Sequence, residues 1–192
     1  MRLLPALGVA MALWPLARDA HGRVYLTQQK AIDNAFPAPA TVERRVLYLD
    51  AEQARRAAEA AGVPVEGRVV PYYVGTRDGQ VAGYAYFDTH MVRTLAETIV
   101  VLLAPDGRIV RIEILSFDEP EDYLPPKRWL DQFQDRVRTD DLSAKSGIRS
   151  LTGATLSARA ITQAARRVLA LHRLFVAPEA PRGATGKGEG RP

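Results

Sequence analysis

Cysteine is absent from this 192-residue sequence. The absence excludes disulfides, zinc sites with thiolate ligands, iron–sulfur clusters and haem held through thioether bonds. Histidine is scarce as well, because the chain has only three, and this disfavours a metal site built from several histidines. Any redox chemistry must therefore use a cofactor that is held in another way.

Several longer patterns are also missing. The chain has no internal repeat, no Gly-x-Ser-x-Gly motif of a serine hydrolase and no fingerprint of a nicotinamide-binding site. A hydrolase and a self-sufficient NADH-dependent enzyme are therefore disfavoured. The composition is ordinary for one globular domain, with 47% hydrophobic and 25% charged residues. The net charge is +4, but the basic residues are scattered among acidic ones, so no nucleic-acid partner is expected.

The first 22 residues differ from the rest of the chain. Arg2 precedes an apolar run from Leu3 to Leu16, and the small residues Ala20 and Gly22 follow. This pattern is typical of a secretory signal peptide, and the run is short for a membrane span, which needs about 20 residues. We therefore expect export to the periplasm or beyond. An N-terminal helix of the mature fold and an uncleaved anchor at the inner membrane are the alternatives.

The remaining pattern predicts an α+β domain over 23–176, with helices packed on a twisted antiparallel sheet of four or five strands. The two-residue turn Asp78-Gly79 and the turn Pro105-Asp106-Gly107 predict hairpins. The predicted strands are Val42–Leu49, Arg68–Arg77, Gln80–Phe87, Ala96–Ala104 and Arg108–Phe117. The predicted helices are Val24–Phe36, Ala51–Ala61 with Asp50 as N-cap, Lys127–Gln134 and Leu156–Phe175. Composition predicts a disordered tail over 177–192.

One short run combines the features of a phosphate site. The loop Leu151-Thr152-Gly153-Ala154-Thr155 leads directly into the last predicted helix. The first turn of a helix has unpaired N–H groups and a partial positive charge, which suit a phosphate. Thr152, Thr155 and Ser157 supply hydroxyls, and Thr155 could be esterified. The same residues also fit an ordinary helix start with Thr155 as its cap, and the residues alone favour that second interpretation.

The run from Leu151 to Ser157 resembles the signature of the covalent FMN-binding domain family. That family includes the periplasmic flavin subunits of sodium-pumping NADH:quinone oxidoreductase and of Rnf complexes, with smaller exported proteins. The likeness extends over about Val24 to Phe175. It implies that FMN is the cofactor and that a dedicated flavin transferase joins its phosphate to Thr155 by a phosphodiester bond. Thr152, Gly153 and Ala154 match the rest of the signature.

A second group of residues is expected beside the flavin. The pair Glu119-Pro120 sits where larger members of the family have a loop that closes over the flavin. Tyr123 and Trp129 could form an apolar slot for the ring, and Arg128 could stabilise a reduced, anionic flavin. Trp129 and Phe133 are spaced by four, however, so Trp129 fits equally well as the hydrophobic anchor of a short helix.

Arg149 departs from the family pattern, which favours an aspartate at this position. A cation beside a phosphate is physically favourable, but the aspartate belongs to the pattern that the transferase recognises. Two functions therefore remain. In the first, an electron-transfer flavoprotein passes electrons to and from a redox protein or a membrane electron-transfer complex. In the second, the chain is a flavin-free accessory domain of the same fold.

Asp88 and His90 are a further polar pair, expected just after a strand. They suggest an acid–base pair or part of a metal site. With so few histidines in the chain, the sequence disfavours the metal site.

Overall fold

The computed structural model describes residues 23–137, 139–142 and 147–177. The predicted signal peptide and the predicted disordered tail from residue 178 onward lie outside these ranges. Within them, no helix combines the length and the apolar character that crossing a membrane would require.

Six antiparallel strands form one sheet in the order β1-β6-β5-β4-β3-β2. The prediction of an α+β fold around an antiparallel sheet is therefore confirmed. The strands are β1 (Arg23–Val24), β2 (Thr41–Tyr48), β3 (Val69–Arg77), β4 (Gln80–Met91), β5 (Ala96–Leu103) and β6 (Ile109–Phe117). The two-residue strand β1 was not expected; it pairs with the end of β6, where Arg23 lies opposite Phe117.

Both predicted hairpins are present. Asp78 and Gly79 join β3 to β4 with φ angles of 52° and 74°, a left-handed pair that matches the twist of the two strands. Gly107 has a φ of 84° in the turn between β5 and β6. The strand β4 extends four residues beyond the predicted end at Phe87, which places Asp88 and His90 inside the sheet.

Four helices accompany the sheet: α1 (Gln28–Ala35), α2 (Ala51–Ala61), α3 (Lys127–Leu130) and α4 (Thr155–Leu171). The prediction for α2 is confirmed, with a capping box between Asp50 and Gln53 and a left-handed Gly62 after its last residue. The start predicted for α1 is wrong. Thr27 accepts a hydrogen bond from the amide of Lys30 and caps the helix there, so Val24 remains in β1.

The helices cover the two faces of the sheet. On one face, α4 buries Ile161, Ala165 and Val168 against β4, β5 and β6 in the main hydrophobic core. Its last turn widens into a π-helix, His172–Val176, in which His172 is buried. On the other face, α1 packs through Ile32 and Phe36 in a smaller core.

The packing of α1 depends on Gly75 in β3. A Cβ atom at this position would overlap the ring of Phe36. We expect Gly75→Ala to lower the free energy of unfolding by about 1–3 kcal/mol, because the Phe36 ring has to leave its place. Urea denaturation measures the change.

Gly67→Ala is the matched control, since nothing lies within 4 Å of a Cβ at Gly67. The control should change stability by no more than about 0.5 kcal/mol. Equal stability of the two variants would show that the Phe36–Gly75 contact is unimportant.

Candidate functional site

The start of α4 has no side-chain cap. Ala154 occupies the N-cap position, and Thr155 is the first helical residue. The expectation that Thr155 caps the helix is therefore wrong: its hydroxyl donates instead to the carbonyl of Leu151, at 3.1 Å. The amides of Thr155, Leu156 and Ser157 have no partner inside the helix, because the first turn of any helix leaves them free. Three N–H groups are thus available to a ligand.

Gly153 opens the space in front of these amides. Its φ is 86°, a left-handed conformation that side chains rarely adopt. A Cβ atom at this position would meet nothing within 4 Å. A ligand can therefore approach the main chain closely at this point.

A cavity of 170 Å³ lies beside the start of α4. Three segments form its walls. They are the turn between β4 and β5 (residues 92–95), the loop between β6 and α3 (residues 118–126, the acidic loop) and the loop that leads into α4. The lining residues are Val92, Arg93, Glu119, Tyr123, Gly153, Ala154, Thr155, Leu156 and Ser157. Six of these nine were expected from the sequence. Val92, Arg93 and Leu156 were not, and the two from the turn carry no motif that separates them from an ordinary hairpin connection.

Glu119 holds the first two walls together. One of its carboxylate oxygens accepts hydrogen bonds from the amides of Thr94 and Leu95, at 2.6 and 2.9 Å, and from the Thr94 hydroxyl. The bond from the Thr94 amide is the largest of the contributions that hold the pKa of Glu119 below its usual value. Glu119 is therefore ionised, and it fixes the turn that carries Arg93.

Ser157 joins the third wall, the start of α4, to the acidic loop. Its hydroxyl donates to the carbonyl of Tyr123 at 2.7 Å, and its side chain is buried. The carbonyl belongs to a 3-10 turn, Glu121–Tyr123, in the acidic loop. In this arrangement the proton of the Ser157 hydroxyl is already used, so a phosphate would meet the Ser157 amide rather than the hydroxyl.

Trp129 and Leu151 lie on the other side of Thr155. They line a second cavity, of 310 Å³, which shares Thr155 with the first. The ring of Trp129 is buried edge-on against Phe133 at 5.3 Å, and its indole N–H donates to the carbonyl of Arg149 at 2.7 Å. Trp129 therefore anchors the loop that precedes the signature, and its contact with the flavin stays a prediction.

Four more predicted residues lie outside the smaller cavity. Pro120, Arg128 and Thr152 are exposed and belong to neither set of lining residues. Arg149 lines the 310 Å³ cavity, and its amide donates to the side chain of Gln132 at 2.9 Å. The structure thus brings Glu119, Tyr123 and the Gly153–Ser157 run together, while Arg128 and Arg149 lie elsewhere.

A buried ionic network lies between the sheet and α4. The two ring nitrogens of His90 contact carboxylate oxygens of Asp88 and Glu97 at 2.8 and 3.0 Å. Arg167 of α4 contacts both oxygens of Asp88, the nearer at 2.9 Å. The sequence indicated the pair Asp88–His90, but it did not indicate Glu97 or Arg167. In the ranges that the structure describes, no group of three or more acidic or histidine side chains is arranged to hold a metal ion.

His90 is protonated in this network. A neutral imidazole has only one N–H, whereas both ring nitrogens of His90 lie against carboxylate oxygens. Burial opposes the charge, but the hydrogen bonds to Asp88 and Glu97 prevail and raise the pKa of His90 to about 9. Burial also raises the pKa of Glu97, which is fully buried with one oxygen unpaired among the described residues.

The fold and the site define a class of protein: an α+β domain that presents the open start of a helix, and a cavity beside it, to an anionic ligand. Residues 95–170 match the family model of the FMN-binding domain. The match covers β5, β6, the acidic loop, α3 and nearly all of α4. No curated protein and no solved structure matches the chain. The chain therefore contains an FMN-binding domain, and FMN is its cofactor.

The residues of the site fit this cofactor. The free amides of the first turn suit its phosphate, and the open space at Gly153 lets the phosphate reach them. The larger cavity has an apolar floor that includes Trp129 and Leu151, and the smaller one has the Tyr123 ring. Both meet the general requirement of a flavin for apolar walls with a few polar groups.

The ionic network makes stability depend on pH. The pKa of His90 is higher in the folded protein than in the unfolded chain, so its contribution is complete below about pH 6.5 and is lost as the pH rises through about 9. We expect the free energy of unfolding to fall by up to about 3 kcal/mol across this window. In His90→Gln the fall should be much smaller. Urea denaturation at about pH 7 and pH 9.5 measures both.

His172→Gln is the matched control. His172 is buried as well, but burial lowers its pKa from 6.5 to about 4, so its protonation changes stability only between these two values, below the window of His90. This variant should keep the fall of the parent protein. An unchanged fall in His90→Gln would show that another group titrates there.

Proposed function

We propose that the protein is an exported flavoprotein that carries electrons, with FMN joined to Thr155 through a phosphodiester bond. One observation carries the proposal. Within the segment that matches the FMN-binding domain, the first turn of α4 has no side-chain cap, and the hydroxyl of Thr155 stands at its edge beside a cavity. An ordinary helix start would have used a side chain to satisfy these amides.

The position of Thr155 supports a covalent bond. The residue is exposed, and its hydroxyl has one hydrogen bond, donated to Leu151. Esterification replaces the hydroxyl hydrogen by phosphorus, so this single exposed bond is what the protein loses. A phosphodiester keeps one negative charge, which the amides and the partial positive charge of the first turn stabilise. A flavin transferase is the proposed partner that forms the bond. In this step the Thr155 oxygen attacks the flavin-side phosphorus of a flavin diphosphate ester, the P–O bond to the departing nucleoside monophosphate breaks, and the hydroxyl proton is released.

The rim of the smaller cavity supports a role in electron transfer. Tyr123 is 36% exposed and Leu156 is 49% exposed, so a flavin held beside them would be accessible to another protein. FMN, when bound, supplies reversible uptake and release of electrons, and the protein sets its orientation and exposure. The proposed partner is a redox protein or a membrane electron-transfer complex.

The covalent bond is tested with two hydroxyl-bearing residues of the same loop. The full chain, co-expressed with a flavin transferase, should be yellow, and the colour should survive denaturation. Thr155→Ala should lose all covalent flavin, because the attachment oxygen is gone. Its stability should fall by no more than about 1 kcal/mol, since one exposed hydrogen bond is lost. Mass spectrometry of the tryptic peptide Ser150–Arg159 detects the flavin.

Ser150→Ala is the matched control, since Ser150 is an exposed hydroxyl residue of the same loop but lies outside the signature run Leu151–Ser157. It should keep the covalent flavin. A flavin that persists in Thr155→Ala would contradict the attachment site. Colour that disappears on denaturation of the parent protein would mean tight but non-covalent FMN, and colourless protein would favour the flavin-free accessory domain.

Export is tested separately. The segment with the apolar run Leu3–Leu16 should direct the chain across the inner membrane of a bacterial host. We expect cell fractionation to recover the protein in the periplasm or on the periplasmic side of the membrane. Replacing Leu3 and Leu4 by Asp should retain it in the cytoplasm, because charge interrupts the apolar run. Cytoplasmic location of the unaltered chain would contradict export.

A further inference from the structure

We propose that Arg93 is the cation that binds the flavin phosphate, so that the site selects FMN over riboflavin. This inference rests on the proposed position of the phosphate at the start of α4. Arg93 lies in the turn between β4 and β5, and this turn is not part of the signature.

Arg93 faces the start of α4 across the smaller cavity. Among the nine residues that line this cavity it is the only one with a positive charge. Its guanidinium is exposed and forms no ion pair with any residue in the described ranges. A phosphate held by the amides of Thr155, Leu156 and Ser157 would therefore lie between those amides and an unpaired guanidinium, which binds phosphate strongly and often through two parallel bonds.

Glu119 explains how the main chain at Arg93 is held in place without any contact from the Arg93 side chain. Its carboxylate is bound to the amides of Thr94 and Leu95, the two residues that follow Arg93. The turn is thus held by main-chain contacts, and the Arg93 side chain is not used to hold it. The ionised Glu119 also lines the cavity and would repel a phosphate, so a cation is needed there to make the cavity attractive to an anion.

Arg149 is a second arginine close to the signature, and it occupies a different position. Its amide is bound to Gln132 and its carbonyl to Trp129. These contacts direct its side chain to the 310 Å³ cavity, on the far side of Thr155. Arg149 therefore provides a matched control: an exposed arginine beside the same loop that does not line the smaller cavity.

The test compares FMN with riboflavin, which differ only in the phosphate. The full chain is produced without a flavin transferase, and quenching of flavin fluorescence gives the dissociation constant of each ligand. We expect Arg93→Gln to weaken FMN binding by about 10- to 100-fold, the usual effect of losing a hydrogen bond to a charged group, and to leave riboflavin unchanged. Arg93→Lys should recover part of the loss, and Arg149→Gln should leave the ratio of the two dissociation constants unchanged within about threefold.

Each outcome bears on the proposal. Equal weakening of both ligands in Arg93→Gln would mean that Arg93 contacts the ring or supports the turn, and unchanged FMN binding would mean that it contacts nothing; either result overturns the inference. A selective loss of FMN in Arg149→Gln alone would assign the phosphate to the other cavity. If the parent protein binds both ligands equally, the phosphate makes no contact that strengthens binding, and the proposed phosphate position itself is wrong. This result is distinct from a failure of the Arg93 inference, which the variants test.

Discussion

The helix α4 can bury its apolar side in only one position along the sheet. Two contacts set that position: the Tyr86 hydroxyl lies 3.0 Å from His172, and Asp88 is bound to Arg167. Asp88 follows Tyr86 in β4, whereas its partner Arg167 precedes His172, so the helix runs antiparallel to the strand. Its first turn consequently lies at the end of β4, where the turn to β5 begins. The packing of the core therefore places the loop Leu151–Thr155 beside Arg93.

Two hydrogen-bonded groups then close the cavity, and neither is left free for the cofactor. Glu119 joins the turn to the acidic loop, and Ser157 joins the acidic loop to α4. What stays available is the main chain at the start of α4 and one arginine. This division separates the groups that hold the walls of the cavity together from those that are open to a ligand. It also explains why the signature contains more hydroxyl groups than can donate to a phosphate: the Ser157 hydroxyl already donates to the carbonyl of Tyr123.

Local patterns predicted the parts of the fold that local interactions control. The helix α2 has its own N-cap at Asp50 and its own C-terminal stop at Gly62, and the pair Asp78-Gly79 strongly favours the left-handed turn that it adopts here. The expected end of β4 at Phe87 was wrong for the opposite reason. Polar residues such as Asp88 and His90 are typical of a loop. In the fold, however, Glu97 of β5 pairs with His90 and Arg167 of α4 pairs with Asp88, so both can lie inside the sheet.

The sequence alone determined the antiparallel α+β architecture, the loop that leads into the last helix, and through the signature the identity of the cofactor. These depend on turns, periodicity and a contiguous run of residues, all of which are local. Only the tertiary structure decided that Ala154 rather than Thr155 is the N-cap, that Trp129 anchors the loop, and that Arg93 faces the open amides. The first fact depends on how the loop itself folds, with the Thr155 hydroxyl bound to the carbonyl of Leu151. The other two depend on residues 20 and about 60 positions apart along the chain, which meet only when the domain folds.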